Sequence, residues 1–321
     1  MKIALVGSET VDISNLLLII TWSGDRSQAA RKLTFEFLQD DRDPLIPQIS
    51  ISCGYTVVAG DDDNNVVFIG NVYSMDVDRQ NSRVKVLCYD HAFILNRSKA
   101  TRKFTSAMPE DIAREICSYM GIKTGSIIST GTPVSFIANA KTGFQIISAA
   151  YTEAHKLNNE VYQILMDGDE LEVIRKGELC GVTLNAMANM RGSVYRESIE
   201  DLVNAVQIVD TQGNSAEIIS NQDSIERYSM FMDVYKSQKD KDAQTEARAM
   251  LNIPEYSGTV TALGDYRARA GYSLIVKDTL FSGQFFIKSD VHTWQDGLYE
   301  MKLVLEFENL MTETEAEKEK S

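Results

Sequence analysis

The residues with the clearest chemical potential are Asp290, His292 and Trp294, in the stretch Asp290-Val-His-Thr-Trp294. The 321-residue chain has only three histidines and two tryptophans, so this stretch combines two rare residue types. A carboxylate and an imidazole can transfer protons, and an indole ring offers a flat apolar surface. On an extended strand these alternate residues share one face. The stretch therefore has two interpretations: part of an active site, or one side of a β-strand.

Three other stretches resemble chemical motifs but lack residues that the chemistry requires. "MKIALVG" is typical of the first strand of a dinucleotide-binding domain, but Gly7 is followed by Ser-Glu-Thr rather than by a glycine-rich loop. "DDDNN", residues 61–65, begins like a calcium loop, but valines occupy the sixth and twelfth positions. Asp90 and His91 are adjacent, so on a strand they point to opposite faces and cannot form a dyad. None of the three predicts a site.

The cysteines and carboxylates give the same result. Cys53, Cys88, Cys117 and Cys180 lie tens of residues apart, a spacing that matches no zinc motif and favours buried free thiols. Carboxylates are abundant, but no pair has a context that would separate two pKa values for acid and base roles. The sequence therefore predicts no catalytic, cofactor-binding or metal-binding residue, and a protein that is not an enzyme.

Composition limits the class of partner. Hydrophobic residues make up 44% and charged residues 24% of the chain, as in globular proteins. The longest aliphatic run, Leu16 to Ile20, is too short to cross a membrane, and the N-terminus has no secretory signal, so we expect synthesis in the cytoplasm. The net charge of −14 and the pI near 4.8 argue against nucleic acid as a partner and against membrane insertion.

The order of elements predicts a mainly β protein with an α+β insert. Residues 1–100 read as short strands, in which "LTFEFL" places Leu33, Phe35 and Phe37 on one face. Residues 101–190 add helices and a hairpin at Asp167-Gly168. One helix begins near Pro109 and ends at Gly121, and a second begins at the capping-box pattern of Thr142 and Gln145. Residues 191–310 return to strands, with one helix before a proline. Residues 311–321 form an acidic tail that we expect to be disordered.

A repeat connects the two β-regions. The dipeptide Gly54-Tyr55 aligns with Gly271-Tyr272 at an offset of 217 positions, and Val86 aligns with Leu303 at the same offset. Phe68 aligns with Phe286, one residue out of step, and the turns at 78–81 and 294–297 coincide. In the first β-unit, residues around Val72 to Met75 take the places of Asp290 and His292 and carry no comparable chemistry. The repeat therefore favours a packing or interface role for the Asp290-His292-Trp294 trio.

Several stretches are similar to a known family, the baseplate hub proteins of contractile-tailed phages. The similarity is strongest to the hubs of PBSX-like defective prophages and phage-tail-like bacteriocins, and it covers roughly residues 30–310. The stretches that carry it are "FIGNVYSMDVD", "VKVLCYDHAFILNRS", "PEDIAREICSYMGI", "DGDELEVIRKGE", "SIEDLVNAVQIVD" and "AGYSLIVKDTLFSGQFFIKSDVHTW".

The resemblance implies two tube-like β-barrel domains that flank the small α+β domain. It implies a homotrimer whose six similar β-domains form a pseudo-sixfold ring between the tail tube and the central spike. The implied partners are the spike, a tail tube or tube-adaptor protein, and other baseplate proteins. The implied location is the baseplate of a phage tail or bacteriocin particle, assembled in the bacterial cytoplasm. A competing hypothesis is a cell-wall-active glycosidase or carbohydrate-binding β-protein that uses Asp290, His292 and Trp294 around a sugar.

Overall fold

Strands dominate the computed structural model, which describes residues 1–7, 9–61, 63, 65–238 and 241–316. The chain divides into two compact units: Met1–Ser193 together with Thr259–Ser321, and Val194–Gly258. The larger unit contains both β-regions that the repeat predicted, as well as the α+β insert.

The first β-unit is built from the N-terminal strands. In chain order they are β1 (Lys2–Val6), β2 (Thr10–Asp12), β3 (Leu17–Asp25), β4 (Lys32–Leu38), β5 (Thr56–Gly60), β6 (Val66–Asp78) and β7 (Arg83–Asp90), with a 3-10 turn at Ser14–Leu16. The alternation read from the sequence of β4 is confirmed, because Leu33, Phe35 and Phe37 are all at most 1% exposed. Together with residues of β1, β5 and β7 they form one apolar core.

The insert is a layer of helices and short strands. Its elements are β8 (Lys99–Ala107), α2 (Pro109–Met120), β9 (Lys123–Ile127), β10 (Val134–Thr142), α3 (Gly143–Asn158), β11 (Tyr162–Asp167) and β12 (Glu170–Arg175), preceded by α1 (Phe93–Arg97). Thr142 and Gln145 form the capping box that begins α3, and Gly121 ends α2 in the left-handed conformation. The hairpin at Asp167-Gly168 joins β11 to β12. These three sequence predictions are confirmed.

The second β-unit completes a 13-stranded sheet. Its strands are β13 (Leu179–Asn185), β14 (Met190–Ser198), β18 (Glu255–Leu263), β19 (Ser273–Lys277), β20 (Ser282–Gln295) and β21 (Leu298–Glu306). The order is β14-β18-β21-β20-β3-β4-β7-β6-β5-β1-β2, with β19 beside β20 and β13 beside β19. Because β13 lies in this sheet, the second β-unit begins earlier than the predicted boundary at residue 190.

The backbone shows the repeat directly. Gly54 donates to the carbonyl of Val72 at 2.8 Å, and Gly271 donates to the carbonyl of Ile287 at 3.0 Å. Val72 lies on β6 and Ile287 on β20, and each strand has a bulge at the next residue. Beyond the bulge, Met75 of β6 pairs with Val86 of β7, and Asp290 of β20 pairs with Leu303 of β21.

Val72 is therefore equivalent to Ile287, and Met75 and Val77 are equivalent to Asp290 and His292. The offset is 215 along β6 and β20, compared with 217 along β7 and β21. The sequence alignment of Phe68 with Phe286 is wrong by three residues, because the register of β19 makes Asn71 the equivalent of Phe286.

The smaller unit has a sheet of its own. Its elements are β15 (Ala205–Val209), β16 (Ser215–Ser220), α4 (Gln222–Tyr228), β17 (Met232–Lys236) and α5 (Ala243–Met250). The strand order is β16-β15-β17, and α5 contributes Ala247 to a small core with Val206 and Ile208. The sequence predicted α5, the helix before the proline, but it did not predict that these residues form a separate unit.

Residues 311–316, which the sequence assigned to a disordered tail, lie against the insert. Met311 and Ala316 pack on its apolar core. The backbone N–H of Thr314 donates to Oγ1 of Thr152 at 3.1 Å, and its hydroxyl lies 2.9 Å from the hydroxyl of Ser148. The prediction of disorder rested on the acidic composition of this segment. Its methionine and threonine side chains nevertheless contact the insert. Residues 317–321 of the predicted tail lie outside the described residues.

Candidate functional site

The Asp290-His292-Trp294 trio lies where the two β-units join. Strand β20 pairs antiparallel with β3 through Asp290–Gly24, His292–Trp22 and Trp294–Ile20. The second β-unit supplies β20 and the first supplies β3, so this pairing makes one continuous sheet of both. The trio thus belongs to a joint between repeats.

Asp290 is held by an arginine from the other side of the joint. Its side chain is 0% exposed, and the guanidinium of Arg31 contacts both carboxylate oxygens, with Nη1 3.1 Å from Oδ1. The backbone N–H of Ala270 donates to Oδ1 at 2.6 Å, and Nε2 of His292 lies 3.3 Å from Oδ2. Burial alone would raise the pKa of Asp290. The positive charge of Arg31 and the hydrogen bonds from His292 and Arg31 outweigh burial and hold this pKa well below its usual range.

Arg31 itself is positioned by contacts with the first β-unit. Its backbone N–H donates to Oδ2 of Asp90 at 2.7 Å, and its guanidinium carbon lies 3.9 Å from the ring centroid of Trp22. A Cβ atom on Gly24 would lie 2.3 Å from Nη1 of Arg31, so only glycine leaves room for the arginine there. Neither Arg31 nor Gly24 was recognised from the sequence, because no motif marks a contact between distant positions.

His292 is also enclosed. Its side chain is 0% exposed, Nε2 donates to the carbonyl of Ala268 at 3.1 Å, and Nδ1 accepts from the hydroxyl of Tyr299 at 2.9 Å. Burial raises the pKa of Tyr299 well above its usual range, so this hydroxyl keeps the proton that it donates. Both ring nitrogens are therefore engaged inside the protein, and the imidazole has no surface that could meet a substrate.

Trp294 faces a different environment from its two neighbours. It stacks on Tyr299 at a centroid distance of 4.2 Å and borders a cavity of about 380 Å³, which Asp290 and His292 do not line. Among the described lining residues, Asp296 supplies the one carboxylate. The three residues share a strand face, as predicted, but they do not converge on one pocket.

The Asp90–His91 pair does not form a dyad. Asp90 is 2% exposed and accepts from the backbone N–H groups of Arg31 and Ala92, at 2.7 and 3.1 Å. Burial raises the pKa of Asp90 to about 7. Asp90 and Asp290 thus bind the two ends of Arg31, the first through its backbone and the second through its guanidinium.

A second buried charge cluster supports the joint, and no sequence pattern indicated it. Glu306 accepts from Nε of Arg26 at 2.8 Å and from Nζ of Lys176 at 3.0 Å. Burial lowers the pKa of Lys176, although Glu306 acts in the opposite direction. Arg26 follows β3, Lys176 follows the insert and Glu306 ends β21, so this cluster ties three parts of the larger unit together.

The cysteines carry no disulfide. Cys88 and Cys117 are buried, Cys180 is half-buried and Cys53 is exposed. Burial raises the pKa of Cys88 and Cys117 to about 12, which keeps both thiols protonated. Within the described ranges, no group of three or more His, Cys, Asp or Glu residues could hold a metal ion, and no helix is long and apolar enough to cross a membrane.

Solved structures with this fold come from tail proteins and from a secretion system. A 43 kDa tail protein of prophage MuSo2 from Shewanella oneidensis is 14% identical, with a TM-score of 0.72 over 95% of this chain and 97% of that one. A tail protein from Neisseria meningitidis is 12% identical, with a TM-score of 0.67 over 97% and 98%.

An E. coli type VI secretion component, described as similar to the phage T4 tail proteins gp27 and gp5, is 10% identical. Its TM-score is 0.56 over 94% of this chain and 75% of that one. No curated protein matches the sequence.

At these identities the solved structures establish the fold, which agrees with the baseplate-hub resemblance read from the sequence. A family model gives the more specific result, because it spans both β-units and the insert. The model of the YQBQ-like family matches residues 20–306, and the chain therefore belongs to that family.

Proposed function

We propose that this protein is a structural baseplate hub, in which three chains form a pseudo-sixfold ring between a tail tube and a central spike. The observation that carries the proposal is the duplicated β-unit within one continuous sheet. Two similar units per chain and threefold symmetry give six similar positions, which match a sixfold tube without a symmetry clash. In a monomeric enzyme, no symmetry requirement would explain two units that have the same strand order but different side chains.

The expected partners follow from this arrangement. One end of the ring would bind a tail tube or tube-adaptor protein, the other end the central spike, and the periphery other baseplate proteins. Solved relatives include a complex named PdpA-VgrG and a type VI secretion component, which supports a spike-facing role. The ring would assemble in the bacterial cytoplasm into a contractile phage tail or a PBSX-like, bacteriocin-type particle.

The alternative, a glycosidase or carbohydrate-binding protein built on the trio, has less support. A glycosidase needs two carboxylates on either side of the sugar. Asp290 and His292 have no exposed surface, and the cavity beside Trp294 has a single carboxylate among its described lining residues. The stacked aromatic rings of Trp294 and Tyr299 favour sugar binding.

The mass and shape of the assembled protein test the proposal. Light scattering on the purified chain should give three times its 35.9 kDa mass, and electron microscopy should show a ring with a central channel. A monomer at every concentration, or a dimer with twofold symmetry, would contradict it. A turnover assay on peptidoglycan in the same preparation addresses the alternative.

A further inference from the structure

The two β-units have equivalent strand orders, which allows the strands at their joint to be matched. The first unit runs β3-β4-β7-β6-β5, and the second runs β14-β18-β21-β20-β19. Since β6 matches β20 and β7 matches β21, the strand equivalent to β3 is β14. The joint inside the chain pairs β20 of the second unit with β3 of the first. Strand β6 is the equivalent of β20, and strand β14 is the equivalent of β3. In the described part of the chain, β6 and β14 are not paired with each other.

Strand β20 divides its outer edge between two neighbours. Its first half, Ser282–Phe286, pairs with β19, and its second half, Ser289–Gln295, pairs with β3. The backbone N–H of Arg26 donates to the carbonyl of Lys288 at 2.9 Å, which continues this ladder by one residue. Because the sides of an antiparallel strand alternate, the backbone groups of Lys288, Asp290 and His292 point to β3.

Strand β6 has the first of these neighbours but not the second. Residues 66–71 of β6 pair with β5, and the same strand pairs with β7 up to Asp78. In the described part of the chain no strand lies on the other side of residues 74–78. By equivalence with β20, the backbone groups of Tyr73, Met75 and Val77 point to this open edge. Tyr73 is 40% exposed and Val77 is 53% exposed.

Strand β14, the equivalent of β3, lies at one end of the described 13-stranded sheet and has one open edge. It also exposes apolar side chains, with Val194 63% and Tyr195 38% exposed. Exposed strand edges with apolar side chains favour pairing with another chain.

We infer that residues 74–78 of β6 pair antiparallel with β14 of a second copy of this chain, repeating between chains the β20–β3 joint found within each chain. The inference rests on the proposed ring and specifies the strands that close it. Each chain offers one β6 edge and one β14 edge, so the contact is head-to-tail, and the threefold rotation of the proposed ring closes it. Met75 and Val77 would take the places of Asp290 and His292, which gives an apolar joint between chains and a charged, buried joint within each chain.

A proline at position 77 tests the pairing. Val77→Pro removes an N–H from the open edge but leaves the β6–β7 ladder intact, a substitution that edge strands tolerate. Val77→Thr keeps the N–H and the branched shape, and is the matched control. We expect Val77→Pro to weaken trimer formation by about ten-fold or more while the circular dichroism spectrum is unchanged, and Val77→Thr to weaken it by less than about three-fold. A Val77→Pro trimer as stable as the wild type would overturn the pairing while the ring stands.

Disulfide trapping provides the second measurement and detects other geometries. With Cys53→Ser as background, Val77→Cys is combined with a cysteine at Gly192, Val194 or Arg196, alternate positions along β14. At least one combination should give covalent trimers on mild oxidation, whereas Val77→Cys alone should give no covalent dimer. Covalent dimers from Val77→Cys alone would show a twofold contact and overturn the inference. A wild-type trimer that no combination traps would overturn the pairing alone, and a wild-type monomer would overturn the ring with it.

Discussion

Arg31 and Asp290 lie 259 positions apart and form a buried ion pair across the joint between the two β-units. Arg31 follows β3 of the first unit and Asp290 lies on β20 of the second, so the pair exists only when both units are folded and joined. Taking two charges out of water offsets much of their attraction, so such a pair adds little net stability while both partners are present.

Removing one partner of the pair should be costly. Asp290→Ala leaves the Arg31 guanidinium buried without its counter-charge, and we expect a loss of about 3–5 kcal/mol in the free energy of unfolding. Urea denaturation measures it. The exposed pair Arg79–Asp41, whose side chains are 83% and 56% exposed, is the control, and Asp41→Ala should change stability by less than about 1 kcal/mol.

The double variant Arg31→Met/Asp290→Ala should recover at least half of this loss, since it removes the orphaned charge together with its partner. Additive losses in the double variant would show that the two side chains are not coupled.

The buried carboxyl of Asp90 should make stability depend on pH. Its pKa is raised from 3.8 to about 7 in the folded chain, so the folded state binds this proton more tightly than the unfolded state. The stabilisation is complete below the unfolded value and is lost as the pH rises from about 4 to about 7, by at most about 1.4 kcal/mol per pH unit. Denaturation midpoints measured between about pH 5 and 8 should fall more steeply in the wild type than in Asp90→Asn. Equal slopes would show that Asp90 is ionised in the folded state.

Two equivalent glycines allow backbone strain to be separated from steric clash. Gly54 and Gly271 have φ of +90° and +95°. A Cβ at Gly271 would lie 2.5 Å from Cγ of Gln163, whereas nothing lies within 4 Å of one at Gly54. Gln163 cannot move aside easily, because its side chain donates to the carbonyls of Arg26 and Ile164.

We therefore expect Gly271→Val to destabilise the chain by about 1–3 kcal/mol and Gly54→Val to be milder, since it has only the strain of φ. Thermal denaturation of the two variants measures the difference. If Gly54→Val is equally destabilising, the clash with Gln163 contributes nothing.

The parts of the fold that depend on local pattern could be predicted from the sequence. The alternation of Leu33, Phe35 and Phe37 indicated a half-buried strand, and Thr142 with Gln145 indicated a helix start, because both signals span only a few residues. The repeat was recognised for the same reason, since Gly54 and Gly271 occupy equivalent turns.

The long-range parts could not be predicted. The contact of Arg31 with Asp290 depends on how β3 meets β20, and no spacing in the sequence encodes that meeting. The segment from Gly54 to Asn71 is two residues longer than the equivalent segment from Gly271 to Phe286, which changed the repeat offset from 217 to 215 and caused the misalignment of Phe68. In the sequence, the carboxylate of Asp290 and the imidazole of His292 therefore resembled an active site. In the structure both are buried where β20 pairs with β3.

The trio can be tested for catalysis directly. We expect purified protein to release no reducing ends from peptidoglycan above a buffer blank, because His292 and Asp290 are both 0% exposed. His292→Gln, which keeps a polar side chain in the enclosed site, is the variant to compare if any release is seen. Release by the wild type that disappears in folded His292→Gln would contradict the structural role and favour the glycosidase hypothesis.

The C-terminal segment should contribute to stability through residues 311–316. From its composition we expected that deletion of residues 311–321 would change the free energy of unfolding by less than about 0.5 kcal/mol, the scale of neutral surface changes. The contacts of Met311, Thr312 and Thr314 with the larger unit change that expectation. Deletion of 311–321 should now cost about 1–3 kcal/mol, from one half-buried methionine side chain and several hydrogen bonds. Deletion of 317–321, which removes only charged residues and a serine, is the control and should cost less than about 0.5 kcal/mol. Equal stabilities of the two truncated chains in urea denaturation would show that residues 311–316 do not bind the insert in solution.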